Sequence, residues 1–301
     1  MKHLFLLVFY LLPAILFAQL DTIYIKPLPN TKVVSVHSLL RQFRLSFSSP
    51  NSEPVFFENY NLALGVRLKY KKIGLSFAVP VARLEDKSLG DSKAYVVGFG
   101  LYPKSFFVQG DMRYIQGLYD FRDNRFREDM RAVYASFFGL HLFNADRLSL
   151  RSAFNLVNRQ QRSAGSWLVS SVLEYQYFRT DSLALFAERN PLSITQYNSY
   201  KLGLGGGYAQ SWVKGNWSMT GLASGGIEFR RLNYQSMQNT NFQDRFLLSP
   251  RLRFFGSVIY NADHLFYGVS GNYLPRLDVA DQLNTRVMDW TIRLSLGWRF
   301  Y

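Results

Sequence analysis

From Met288 to Phe300 apolar and polar residues alternate almost without a break. Trp290, Ile292, Leu294, Leu296, Trp298 and Phe300 share one face of an extended chain, and Asp289, Thr291, Arg293, Ser295, Gly297 and Arg299 share the other. Successive strand side chains point to opposite faces, so a period of two held this long makes one greasy face and one wettable face. Aromatics at its ends suit a strand with lipid outside and water inside. The period recurs along the chain. Tyr60, Leu62, Leu64, Val66, Leu68 and Tyr70 oppose Asn61, Ala63, Gly65, Arg67 and Lys69. Leu148, Leu150, Phe154 and Leu156 oppose Ser149, Arg151, Ala153 and Asn155. Trp167, Val169, Leu173, Tyr175 and Tyr177 oppose Ser166, Ser170, Glu174 and Gln176, and Leu252, Phe254, Val258 and Tyr260 oppose Arg251, Arg253 and Ser257.

Alternation predicts strands near 40–48, 60–70, 73–81, 93–102, 105–117, 129–143, 147–157, 166–178, 199–213, 217–229, 249–260, 264–274 and 288–300. Short turns fall at Lys71-Lys72, Pro103-Lys104, Asn144-Ala145-Asp146, Lys214-Gly215-Asn216 and Asn261-Ala262-Asp263. Longer polar stretches fall near 49–59, 82–92, 118–128, 158–165, 230–248 and 275–287. Short periplasmic turns alternating with long extracellular loops are the habit of membrane β-barrels. Keeping that alternation between 178 and 199 requires a turn at Arg179-Thr180-Asp181 and a short strand near 182–187. The expected fold is therefore all-β, an antiparallel transmembrane β-barrel of about fourteen strands, with twelve as the alternative because the inserted strand is short. A soluble sandwich or propeller also alternates. It would turn its polar face outward, and no blade-length repeat is visible.

Met1-Lys2-His3 followed by the apolar run Leu4 to Ala18 reads as a secretory signal over 1–18, although Leu16 is a poor match to the small residue expected before a cut at Ala18. Residues 19–39, with Pro27 and Pro29, read as a periplasmic lead-in, and 40–301 as the barrel. Removing Lys2 from 35 basic residues leaves 34 against 21 acidic ones, a formal charge of +13. These charges are scattered singly through strands and not gathered on one face, so nucleic acid is not an expected partner. Aromatics make up 17% of the chain while mean hydropathy is near zero. Lipid-facing and lumen-facing residues that cancel in any window produce that pairing. With no Cys there is no disulfide framework and no thiolate site.

Four patches carry a resemblance: Asp21-Thr22-Ile23-Tyr24, Leu101-Tyr102-Pro103-Lys104, Gly117-Leu118-Tyr119 and Arg162-Ser163-Ala164-Gly165-Ser166. In order and spacing they resemble a Bacteroidota family of outer-membrane barrel-like proteins, domain of unknown function 4421. The resemblance covers nearly all of the mature chain and implies an outer-membrane barrel, with no activity or ligand to carry over. It singles out the loop Ser163, Ala164 and Gly165, whose small residues also suit a plain tight turn.

The chemistry that alternation places inside is basic. Arg67, Lys69, Arg113, Arg131, Arg151, Arg251, Arg253, Arg293 and Arg299 fall on inward positions, with Asp111, Glu174 and Glu228 opposing them. Such a lining either favours anions through its field or pairs internally and fills the barrel. Arg122, Arg125, Arg127 and Arg131 near Asp120, Asp123, Glu128 and Asp129 form a mixed outer cluster that could meet lipopolysaccharide phosphates. Catalysis needs a nucleophile and a base in reach. His37 sits in the lead-in, His264 at a turn, and His141 on an inward position near a periplasmic turn, which leaves only a His141 hydrolase to consider. The spacing of His, Asp and Glu suggests no metal, and no cofactor motif is present; Gly203-Leu204-Gly205-Gly206-Gly207 lies within a strand and marks a bend or a close backbone approach.

Trp298, Phe300 and Tyr301 resemble the terminal assembly signal of outer-membrane barrels, which implies the barrel-assembly machinery as a partner. Here Tyr301 extends one residue past the outward aromatic. The expected location is the outer membrane of a Gram-negative bacterium, in contact with its lipids and lipopolysaccharide. The function expected first is a passive pore or transport barrel for small solutes, anions among them. The rivals are a non-conducting structural or interaction barrel of the cell envelope and, third, an outer-membrane hydrolase.

Overall fold

A strand buried in lipid must pair its backbone N–H and C=O groups within the sheet, so membrane-crossing sheets close on themselves. The computed structural model describes residues 21–28, 32–48, 55–70, 72–83, 93–103, 105–120, 125–155, 157–180, 194–236, 243–278 and 284–300. Among them twelve strands form one closed antiparallel barrel. Two short strands, β1 (Ile25–Pro27) and β8 (Asn158–Gln160), pair with each other outside the barrel sheet. The barrel strands are β2 (Lys32–Ser48), β3 (Val55–Tyr70), β4 (Ile73–Arg83), β5 (Lys93–Leu101), β6 (Phe106–Asp120), β7 (Arg125–Leu142), β9 (Ala164–Arg179), β10 (Ile194–Lys214), β11 (Trp217–Ser236), β12 (Gln243–Asn261), β13 (Leu265–Asp278) and β14 (Asn284–Phe300). Each pairs with its neighbour in sequence, β7 with β9, and β14 returns to β2 with Phe300 opposite Lys32 to close the ring.

The expected faces are the observed ones on most strands. Leu64, Val66, Leu68, Leu173, Leu252, Ile292, Leu294 and Trp298 are exposed, while Lys69, Arg113, Glu174, Arg251 and Arg299 are buried. In water each such aliphatic or aromatic side chain would forgo roughly 1.5–3 kcal/mol of burial. A hydrocarbon surround removes that penalty. Near the short turns, Trp217 packs against Tyr260 and Tyr267 at ring-centroid distances of 5.4 and 5.7 Å, and Trp167 against Tyr208 at 5.2 Å. Such aromatic pairs form the girdle of a membrane interface. A closed barrel that is apolar outside and charged inside is an outer-membrane protein.

Twelve strands, not fourteen, follow from one segment. Residues 147–157 do not join the wall. Leu148, Ser149, Leu150, Ser152 and Ala153 are all buried, and Arg151–Asn155 make a short π-type helical turn. The alternation of Leu148, Leu150 and Phe154 is broken by Ser152, and the small residues between them suit an element enclosed on all sides. β9 therefore runs opposite to the direction expected, from the short-turn end outward, and Ser163 to Gly165 lie at the periplasmic end instead of in an outer loop. The expected strand at 182–187 lies outside the described residues. The first barrel strand begins at Lys32, not 40, so His37 belongs to the wall.

The close approach expected of the glycine run is real. A Cβ on Gly207 would stand 2.2 Å from the Ala223 carbonyl oxygen and one on Gly226 2.1 Å from that of Leu204, so β10 and β11 can touch there only without side chains.

The described residues of 143–163 form a plug in the periplasmic mouth. Leu148 and Leu150 join Phe107, Phe138, Leu140, Leu168, Ala209 and Leu222 from the wall in one apolar cluster. Phe154 stacks on Phe255 with centroids 4.0 Å apart and lies 4.6 Å from Phe107. Gln160 satisfies the plug's own backbone, accepting from Ser149 N at 2.9 Å and donating to the Arg147 carbonyl at 2.6 Å. The N-terminal segment latches the assembly from below: β1 pairs with β8, and Gln161 N donates to the Tyr24 carbonyl at 2.7 Å. Lys26 Nζ donates to Asp263 Oδ1 at 3.1 Å, and Arg159 stands 3.6 Å from the same oxygen.

The Lys26 hydrogen bond, aided by the Lys26 and Arg159 charges, holds the Asp263 carboxyl below its ordinary value. Its contribution is complete above the ordinary carboxylate range and is lost as pH falls through the depressed folded value. Both partners are nearly half exposed, so the contribution is about 0.2–1 kcal/mol. A nitroxide on Ile23→Cys, read by electron paramagnetic resonance, will be less mobile at neutral pH than in acid below the carboxylate range. Asp263→Asn will give the mobile spectrum at both pH values.

Candidate functional site

Positions on β2 to β7, β9 and β12 to β14 converge above the plug on a chamber of about 110 Å3. Arg41, Arg67, Arg113, Arg253 and Arg293 line it together with Asp111, Glu174, Tyr134 and Asn272, and Ala153 and Phe154 of the plug form its floor. Parity explains the gathering, since each arginine sits on the face opposite a lipid-facing apolar neighbour.

One carboxylate organises part of this set. Asp289, 1% exposed, accepts from Arg113 at 2.7 Å and from Arg41 at 3.3 Å. Arg113 also donates to Asp111 at 2.8 Å and lies 4.6 Å over the Tyr134 ring. Tyr134 in turn donates to Glu174 at 2.9 Å. Arg253 lies 3.6 Å over the face of Phe138 and donates to Asn272 at 3.1 Å. The Arg293 Nε is buried with no hydrogen-bond partner, and Arg67 makes no ion pair with a described carboxylate. Five guanidiniums thus face three carboxylates, Asp111, Glu174 and Asp289, leaving an excess of two positive charges in an enclosed space. Guanidiniums in this setting favour anions, and their planar donors match oxyanions in pairs.

The structure unites Arg67, Asp111, Arg113, Glu174, Arg253 and Arg293 of the expected lining and places the others elsewhere. Lys69 is buried and donates to the Phe154 carbonyl at 2.8 Å, fastening the plug. Arg151 is not on a strand; it rides the plug and donates to the Pro103 carbonyl at 3.3 Å. Glu228 lies 3.4 Å from Lys201 on neighbouring β10. Arg251 is buried 5.7 Å over Phe138. Arg299 reaches the Asn261 side chain and the Ala262 and Asp263 carbonyls of the turn below. Arg131 is exposed on the outward face of β7, which it shares with Phe137, while Tyr134, Ser136 and Phe138 turn inward. His141 is outward too: Leu140 and Leu142 are the buried neighbours, and its ring meets Phe143 edge-on at 5.5 Å. The inward placement expected of both residues is corrected by this parity.

Ser163 accepts from Val213 N at 3.0 Å, and Ala164 opens β9, so that motif bends the chain out of the plug and into the wall. Trp298 and Phe300 are exposed outward as expected, and Tyr301 lies outside the described residues. Of the outer cluster, Arg122 and Asp123 lie outside the described residues, as do the side chains of Asp120 and Arg125. Asp129 accepts from Thr180 at 2.6 Å. Among the described residues no group of three or more His, Cys, Asp or Glu is placed to hold a metal ion. The sequence also offered Arg41, within the strand expected near 40–48, and Asp289, on the inward face of the last strand, but neither was singled out. Lys201 and Arg230 were passed over as well, although strand parity puts both inside with Glu228.

Residues 19–300 match the family described as Domain of unknown function (DUF4421). The chain belongs to this family. No curated protein matches this DUF4421 chain. Among solved structures it is similar to the outer membrane protease OmpT from Escherichia coli, at 8% identity over 93% of this chain and 99% of that one, with a TM-score of 0.38. It is also similar to the β domain of the Bordetella autotransporter BrkA, at 11% identity over 90% and 99% of the two chains and a TM-score of 0.36. The attachment invasion locus protein Ail of Yersinia pestis matches at 12% identity over 89% and 98%, with a TM-score of 0.21. Likeness this loose carries no argument about function.

Removing one partner of a buried charge network leaves the others uncompensated, at about 3–5 kcal/mol. Asp289→Ala, which strands Arg41 and Arg113 together, will lower urea-unfolding stability in lipid vesicles by that amount. Asp244→Ala, at the exposed pair with Arg231, will leave it nearly unchanged.

Proposed function

We propose that this protein is a transport barrel for small anionic solutes, stoppered at rest by its own chain. The observation that carries the reading is the excess-positive chamber seated directly on a plug made by a connection between strands. A plug so built can move without unpicking the barrel's backbone hydrogen bonds. The field of the chamber favours anions at its mouth and disfavours cations.

The same filled lumen favours a second reading, a non-conducting barrel that serves as an interaction platform in the envelope. A hydrolase built on His141 draws no support from a histidine that faces outward. In either reading the outward Trp298 and Phe300 of the last strand present a terminal aromatic signal to the barrel-assembly machinery. The apolar belt meets outer-membrane lipid, and Arg127 and its neighbours at the outer rim are the contacts suggested for lipopolysaccharide.

Planar-bilayer recording separates the two. Wild-type barrels will show no steady current, and Leu150→Ala/Phe154→Ala, which strips the plug of its grip on Phe107 and Phe255, will show frequent openings with anion preference. Steady wild-type conduction would refute the stopper. Silence from both proteins at every voltage would leave only the interaction barrel.

A further inference from the structure

An arginine cluster inside a protein is costly unless each charge finds a partner, because desolvating a lone ion costs several kcal/mol. In the chamber the available carboxylates are already engaged. Asp289 holds Arg41 and Arg113, Asp111 holds Arg113, and Glu174 accepts from Tyr134. Arg253 makes its close contacts with neutral groups, the Phe138 ring and the Asn272 amide oxygen, and feels Asp111 and Glu174 only through longer-range attraction. Arg293 keeps a buried Nε without a partner, and Arg67 has no ion pair with a described carboxylate. All three line one cavity of about 110 Å3. That is room for several waters, or for one tetrahedral oxyanion that keeps part of its hydration.

We propose that the chamber is a binding site for a single oxyanion of the phosphate or sulfate class, held by Arg67, Arg253 and Arg293. A doubly charged oxyanion cancels the excess of two positive charges, and its several acceptor oxygens can take paired N–H donors from more than one guanidinium. Chloride offers neither the charge nor the geometry. Phe154 of the plug lines the same cavity. The inference deepens the proposed reading by naming the class of anion, but the site itself does not require the barrel to conduct.

The test is calorimetric titration of the folded barrel in detergent, in phosphate-free buffer at constant ionic strength, with inorganic phosphate, sulfate and chloride as separate titrants. Saturable binding of one phosphate or sulfate per barrel is expected, with no saturable heat from chloride. Arg67→Gln and Arg293→Gln will each raise the dissociation constant about tenfold or more, the loss of a charge-assisted contact. Arg67→Lys, which keeps the charge but loses the fork, will raise it less than Arg67→Gln. Arg131→Gln, on the outward face, will leave it unchanged. Folding of every variant is checked by the heat-modifiable migration of intact barrels. No saturable binding, equal binding of chloride, or undiminished binding by folded Arg67→Gln and Arg293→Gln would overturn the site. A silent wild-type barrel that binds no phosphate refutes the site and leaves the stopper. A steadily conducting one that binds phosphate refutes the stopper and leaves the site.

Discussion

Closure of the sheet is the constraint from which the rest follows. With β14 paired to β2 along its length, the twelve described strands close into a ring, the arrangement that lets a sheet satisfy its backbone in hydrocarbon. Closure also divides every strand into two environments. A residue cannot sit between them, so each arginine on a wall strand is committed either to the lumen or to the exterior. The interior then has to be filled, because a barrel of this size encloses more space than its wall side chains occupy.

Two different solutions fill it. At the periplasmic end the chain folds back on itself, and Leu148, Leu150 and Phe154 complete an apolar core with the wall. In the middle, charges are used, and they are balanced by specific geometry: Asp289 between two guanidiniums, Tyr134 under Arg113, Phe138 under Arg253. The boundary between the zones is one residue thick. Phe154 turns its ring to Phe255 and Phe107 below, while its carbonyl takes the Lys69 ammonium. Polar and apolar filling therefore support each other at a shared floor.

Much of the fold was legible because a wall strand has only two faces. The parity of Arg67, Glu174, Arg253 and Arg293 needed no knowledge of neighbours. It failed on β7, where the whole face was assigned the wrong way round: Arg131 and His141 lie outward with Phe137, and Tyr134, Phe138 and Leu140 turn inward. It failed more deeply at 147–157, whose Leu148, Leu150 and Phe154 mimic a strand's period while every side is enclosed. Periodicity measures the contrast between two environments, and a plug has only one. Ser149, Ser152 and Ala153 were the available signal, small residues in a stretch that lipid-facing strands would fill with bulk. The chamber was half visible: its charges could be assigned to the inside, but not which of them an inward carboxylate such as Asp289 would claim.

The plug is held at both ends, by Leu142 at the foot of β7 and Ala164 at the foot of β9, which are neighbours in the wall. At about 3.3–3.6 Å per extended residue, such a leash lets it hang well below the mouth, yet it can never diffuse away. Reclosure is then an intramolecular event with a high effective concentration, independent of how much protein is present. On the transport reading proposed above, such a barrel would reset itself after each passage without a partner to replace its stopper.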